Sequence, residues 1–116
     1  MPALESVDAT FERDGVVFHA NLVRFENAVL VFFYEGTSKL GTVAVAMPAI
    51  LEERTGRSSI LFGGKYLMAS RALAERAVGS FGKLAVVSIN TSIEEPEALR
   101  IYAKLLDDLK KLQFNG

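Results

Sequence analysis

The residues with the best spacing for ligand chemistry are Gly63, Gly64 and Lys65, which lie between a predicted strand and a predicted helix. Free backbone N–H groups and the helix dipole at such a turn attract phosphate. The spacing departs from a P-loop, because Ser59 stands where that motif has its first glycine and Tyr66 where it has serine or threonine. The turn therefore indicates either a phosphate site of another kind or an ordinary strand-to-helix connection.

The other titratable residues lack the grouping that acid–base or metal catalysis needs. His19 is the single histidine and the chain has no cysteine, which excludes multi-histidine metal sites and thiolate nucleophiles. The adjacent acids Glu52-Glu53 and Glu94-Glu95 point apart, whereas paired-carboxylate catalysis needs two groups that converge across a cleft. The sequence therefore predicts no enzyme, no metal and no cofactor.

The basic and aromatic residues do not combine into a nucleic-acid site. Lys104, Lys110 and Lys111 are interleaved with aspartates at helical spacing, which is typical of a solvated helix face. The aromatic run at residues 32–34 has no lysine or arginine around it, so we interpret it as a core strand rather than as a base-stacking surface. With 13 basic and 14 acidic residues the net charge is −1, and we expect no nucleic-acid partner.

The composition indicates one domain without a membrane segment. A length of 116 residues suits a single core, so we expect one domain over residues 1–116. No apolar run approaches the ~20 residues that a membrane span needs. The first eight residues carry two acids and no basic residue, and cysteine is absent, so we expect a cytoplasmic protein.

The first part of the chain has the alternation of β-strands. Asp14-Gly15 is a strong hairpin signal, and in the return strand the even-numbered residues of 16–25 form the better core face. The apolar run at 28–34 predicts a central strand covered on both faces. A further strand at 40–47 would complete a meander of four strands, and residues 48–56 allow a short helical turn.

The second part alternates strands with amphipathic helices. A strand at 58–62 precedes a helix at 66–81 that Gly82 closes, and a strand at 83–90 precedes a helix from Pro96 to about Leu112. The predicted order is ββββ-β-α-β-α. This order favours the α+β class, with an antiparallel sheet of about six strands and two helices packed against it.

The last helix has a wide apolar arc. Its large residues cover ~160° of the helical wheel, whereas one docking face needs a stripe of ~100°. We therefore expect part of the arc to contact a second protein, in a dimer interface that includes Ile101, Leu105, Leu109 and Leu112.

Four segments carry a family resemblance. They are LGTVAVAM at 40–47, SSILFG at 58–63, LAERA at 73–77 and KLAVVSIN at 83–90. In this order and spacing they resemble the small proteasome assembly chaperones, the family of the third and fourth assembly chaperones, above all its fourth member. With the hairpin at 18–34 the resemblance covers most of the chain.

The resemblance implies a chaperone that works as a dimer and guides α-subunits of the 20S core proteasome into their ring. It implies a homodimer in a prokaryote, for which an archaeal source is natural, or else pairing with a paralogous chaperone. It supplies no catalytic residue.

Two loops are the expected client surface, since a surface that binds and releases a subunit is less apolar than a dimer interface. Their residues are Glu35, Gly36, Thr37, Ser38 and Lys39 in the first loop and Glu52, Glu53 and Arg54 in the second. Two alternatives stay open. One is an enzyme or sensor that binds a phosphate ligand at Gly63-Gly64-Lys65, and the other is a generic dimeric scaffold of roadblock or longin type.

Overall fold

A computed structural model describes residues 5–48 and 57–115, and these contain six strands and two helices in the predicted order. The strands are β1 (Glu5–Arg13), β2 (Val16–Arg24), β3 (Ala28–Glu35), β4 (Thr42–Met47), β5 (Arg57–Phe62) and β6 (Leu84–Asn90). The helices are α1 (Leu67–Phe81) and α2 (Glu95–Asn115). Most of the predicted helical turn at 48–56 lies outside the described residues.

The first hairpin forms as its sequence predicts. Asp14 and Gly15 both have positive φ, 53° and 80°, which is the geometry of a tight two-residue turn. In β2 the even-numbered residues Phe18, Ala20 and Leu22 are buried, so the predicted core face is confirmed. The odd-numbered residues of the strand point to the other side of the sheet.

The strands form one mixed sheet in the order β1-β2-β3-β6-β4-β5. Four of the five neighbouring pairs are antiparallel, and β3 with β6 is parallel. The α+β class is confirmed, but the predicted four-strand meander is wrong, because β6 lies between β3 and β4. Alternation of residues shows which face of a strand is apolar and does not show which strand lies beside it.

Both helices pack on the same face of the sheet. α1 lies over β4, β5 and β6, α2 lies over β1 and β2, and the helices contact each other. Alanines fill the part of the core below α1, including Ala44, Ala46 and Ala85 of the sheet and Ala74 and Ala77 of the helix, all fully buried. Their short side chains allow the helix to approach the sheet closely.

The limits of α1 follow from two left-handed residues. Tyr66 has φ 57°, so the helix begins at Leu67, one residue later than predicted. Gly82 has φ 69° and donates its N–H to the Val78 carbonyl at 2.7 Å, which is the predicted helix end. Neither helix in the described part of the chain is long and apolar enough to span a membrane.

Within the described residues the central strand β3 is covered on one face only, whereas a cover on both faces was predicted. Its odd-numbered residues Val29, Val31 and Phe33 are fully buried below the helices. Its even-numbered residues Leu30 and Phe32 are half-buried on the other side of the sheet.

Candidate protein interaction surface

The face of the sheet opposite the helices, here called the open face, has an apolar centre. The register places Leu30 of β3 beside Val86 of β6, and Val86 beside Val45 of β4. Phe32 lies next along β3, and all four side chains are half-buried. These residues, Leu30, Phe32, Val45 and Val86, are called the open-face strip, and no described helix packs over them.

The β1–β2 side of the open face is polar. Asn21 Nδ2 donates a hydrogen bond of 2.6 Å to the carboxylate of Asp8. The ring of His19 stacks on Tyr34 with 4.8 Å between the centroids and 13° between the planes. Among the described residues no three His, Asp or Glu side chains come together in a way that would hold a metal ion, and His19 belongs to this aromatic contact.

Further apolar surface lies at the margin of the open face. A shallow cavity of about 270 Å³ is lined by Phe32, Tyr34, Asn21 and loop residues 38–40. The side chains of Leu40 and Phe62 are 64% and 57% exposed. Large contiguous patches of exposed apolar surface are typical of protein contact sites.

The predicted dimer residues of α2 lie, with one exception, in the core of the chain itself. Ile101, Leu105 and Leu109 are 7%, 1% and 0% exposed, whereas Leu112 is 47% exposed. The wide apolar arc does not need a second protein, because α2 packs both on the sheet and on α1. Two contact directions cover an arc that one docking face would leave half-exposed. A dimer interface stays a prediction, but these three side chains offer no surface to it.

Glu35 is the last residue of β3, and its carboxylate is bound within the chain. It accepts hydrogen bonds from the Thr91 hydroxyl at 2.7 Å, from the Ser92 N–H at 3.1 Å and from the Ser92 hydroxyl. Burial by itself would raise the pKa of Glu35, but the hydrogen bonds from Ser92 and Thr91 outweigh it and lower the pKa. Glu35 thus ties β3 to the connection between β6 and α2.

The other residues of the predicted client surface have different positions. Gly36 has φ 68° and donates its N–H to the Val17 carbonyl at 3.0 Å, while residues 37–39 are exposed. The predicted residues of the second loop, Glu52, Glu53 and Arg54, lie outside the described residues. Client binding stays a prediction for all of the predicted residues, which are Glu35, Gly36, Thr37, Ser38 and Lys39 in the first loop and Glu52, Glu53 and Arg54 in the second.

The Gly63-Gly64-Lys65 turn has a structural explanation. It borders a cavity of about 350 Å³, but the start of α1 already holds a carboxylate, because the Ala69 N–H donates to Glu95 at 2.8 Å. Gly63 has φ 109°, and a Cβ at this position would lie 2.5–2.8 Å from Thr42. These contacts account for the glycine without a ligand and disfavour phosphate binding.

Sequence reasoning missed the open face because it assigned a cover to both sides of β3. A signal for it was present. The open-face positions of β1 and β2 include Asp8 and Asn21, whereas those of β3 include Leu30 and Phe32. A helix that covered the whole face would bury the polar pair, so the pattern indicates a sheet that is open on this side.

The comparisons with known proteins identify the fold. No protein-family profile and no curated protein matches the sequence. Among solved structures, the chain is similar to a chain in the crystal structure of a novel chaperone complex for yeast 20S proteasome assembly, with a TM-score of 0.64 and 16% sequence identity. The likeness covers 97% of this chain and 96% of the yeast chain. This chain therefore has the fold of a proteasome assembly chaperone, as its sequence resemblance implied.

Proposed function

We propose that this chain is a non-enzymatic chaperone that binds α-subunits of the proteasome and assists assembly of the 20S core particle. The observation that carries the proposal is the fold likeness to the yeast chaperone complex, which extends over nearly the whole of both chains. The absence of cysteine suits a reducing cytoplasm. Such a chaperone acts through its contact surfaces alone.

The chaperone acts as a dimer whose two copies meet through their open faces. The open-face strip supports this arrangement, since Phe32 and Val86 are among the apolar side chains that the chain's own helices leave uncovered. A two-fold axis through the strip would place the same apolar patch of each copy against the other. In organisms that have two forms of the chaperone, the partner in the dimer is the homologous form.

The size of the open face fits a stable dimer. Six strands at about 4.8 Å spacing and about 20 Å of strand length give a footprint of roughly 500 Å², before the relief of the side chains is added. Stable interfaces bury about 800 Å² on each partner. The area of the sheet, together with its exposed margin at Leu40 and Phe62, is thus of the same order as the area that a stable interface buries.

The α-subunit binds at the loop that follows β3. Residues 37–39 are exposed, and Lys39 and Ser38 line the small cavity beside the open face. A polar loop at the margin of the dimer interface leaves the client contact accessible after the two copies have joined. Polar contacts also suit a complex that must later dissociate.

The test is to mix the purified chain with recombinant α-subunits or β-subunits of the same organism's proteasome and to follow complexes by native gel. We expect a complex with α-subunits, none with β-subunits alone, and faster formation of α-rings. Absence of a complex together with unchanged assembly would contradict the proposal.

A pair of charge reversals tests the loop. Lys39→Glu should weaken α-subunit binding by about tenfold and leave the dimer intact. Lys111→Glu, the same change at an exposed position of α2, should have no effect. Equal loss in both variants would show that net charge, and not the loop, controls binding.

A further inference from the structure

A groove of about 420 Å³ lies between β1 and α2 on the helix side of the sheet. Its accessible apolar lining comes from Phe11, which is half-buried, whereas Ile101 and Leu105, which also border the groove, are 7% and 1% exposed. Arg100 and Lys104 add positive charge to the same groove. An apolar floor beside cationic groups is a surface that suits a partner with both apolar and acidic side chains.

The basic charge of the groove is only partly neutralised. Glu97 is shared by two arginines, at 2.7 Å from Arg13 and 3.5 Å from Arg100. Lys104 Nζ lies 5.6 Å above the centre of the Phe11 ring and has no ion pair within the described residues. Asp108 is the single acid among the residues that line the groove in the described chain. A carboxylate from outside would therefore be attracted to Arg100 and Lys104.

One wall of the groove is an unpaired sheet edge. β1 pairs with β2 in continuous register from Glu5 to Arg13, and no described strand pairs with its other edge. β1 contains no proline and no bulge, which are two of the devices that prevent pairing at an edge. Its outward N–H and C=O groups can pair with an added strand.

We propose that this groove binds an extended acidic segment of a partner protein, which adds to β1 as a further strand and places a carboxylate between Arg100 and Lys104. The occupant is not a second copy of this chain meeting through the same groove, because a symmetric contact would set the basic residues of one copy against those of the other. The proposal holds whether or not the partner is a proteasome subunit.

The probe is a labelled ten-residue peptide of alternating valine and glutamate, compared with a peptide of alternating valine and lysine. Fluorescence anisotropy should show binding of the glutamate peptide that weakens as salt is raised, and at least tenfold weaker binding of the lysine peptide. The amide resonances of β1 should shift on binding. Failure of the glutamate peptide to bind at millimolar concentration overturns the proposal.

Two N-methylated peptides test the added strand. An extended peptide presents alternate N–H groups to the edge with which it pairs. Methyl groups on the amides that face β1 should abolish peptide binding, whereas methyl groups on the other amides should leave the affinity unchanged. If both methylated peptides bind as well as the parent, the segment does not add as a strand and the proposal is wrong.

Charge reversals locate the site. Arg100→Glu and Lys104→Glu should each weaken the glutamate peptide at least fivefold, whereas Lys110→Glu, an exposed change on the same helix outside the groove, should not. If Lys110→Glu weakened peptide binding as much as the groove variants, the proposal would be overturned. It would also be overturned if Arg100→Glu changed the oligomeric state of the protein in the absence of peptide, because the groove would then bind a second copy.

Discussion

Glu35 and Tyr102 lie at the same end of the sheet, yet only one of them has its polar atoms satisfied. Glu35 accepts three hydrogen bonds from Thr91 and Ser92. Tyr102 is fully buried against Phe18 and Phe33, and its hydroxyl forms no hydrogen bond of normal geometry within the described chain, although the Thr91 side chain lies close enough to lower its pKa. Burial raises the pKa of Tyr102 to about 12, so the hydroxyl stays protonated at all pH values at which the protein would be studied.

We expect Tyr102→Phe to leave the free energy of unfolding unchanged or to raise it by about 1 kcal/mol, because it removes a buried hydroxyl without a partner. The ring contacts to Phe18 and Phe33, with centroids 6.0 Å and 5.2 Å away, are kept. Phe33→Leu is the matched control and should cost about 1–3 kcal/mol. Urea denaturation measures both variants. A loss above about 1 kcal/mol in Tyr102→Phe would mean that the hydroxyl is bonded in solution.

Glu35 should make the stability of the protein depend on pH. Its pKa is lowered in the folded chain, so its contribution is present above the unfolded pKa of about 4.3 and is lost as the pH falls through the folded value. Glu35→Gln should therefore be less stable than wild type at pH 7, and the difference should shrink below about pH 4. Denaturation curves from pH 7 to pH 3 measure this. Glu26→Gln, in the exposed turn before β3, should follow wild type throughout.

At the scale of elements, the type and order of every strand and helix could be predicted because each has its own periodicity and its own end signal, such as Asp14-Gly15 or Gly82. The position of β6 between β3 and β4 could not be predicted in this way, since it depends on how strands compete for the centre of the sheet. The burial of Leu105 and Leu109 was missed for a similar reason. A helical wheel shows the width of an apolar arc and not the number of neighbours that share it.

Substitution by alanine should change the stability of the protein in opposite directions at two glycines. A Cβ at Gly41 would lie 2.0 Å from the Ile89 carbonyl oxygen, whereas one at Gly79 in α1 meets nothing within 4 Å. Gly41→Ala should cost about 2–4 kcal/mol because β4 must move away from β6. Gly79→Ala should raise the free energy of unfolding by about 0.5–1 kcal/mol, because it lowers the conformational entropy of the unfolded chain. Thermal unfolding followed by circular dichroism compares them. Stabilisation by Gly41→Ala would show that the start of β4 is held less tightly than described.

At the scale of the whole molecule, the two faces of the sheet differ in how they are covered. The helix face buries the core, and the apolar arc of α2 packs there. No described helix covers the apolar centre of the open face, and the exposed loop 37–39 lies at its margin. The surfaces that we propose for a second copy and for a client thus lie on one side of the sheet.

This division predicts which substitutions separate the two copies of the proposed dimer. Val45→Lys and Val86→Lys, both on the open-face strip, should give a monomer by light scattering at high micromolar concentration while the circular dichroism spectrum is kept, because each buries a charge at the centre of the interface. Leu112→Lys is the control on α2 and should leave the dimer intact, since its neighbours Leu105 and Leu109 lie in the core of the same chain. If Leu112→Lys gives the monomer and the strip variants remain dimers, the copies join through the end of α2. A wild-type protein that is itself monomeric at that concentration would remove the need for either interface.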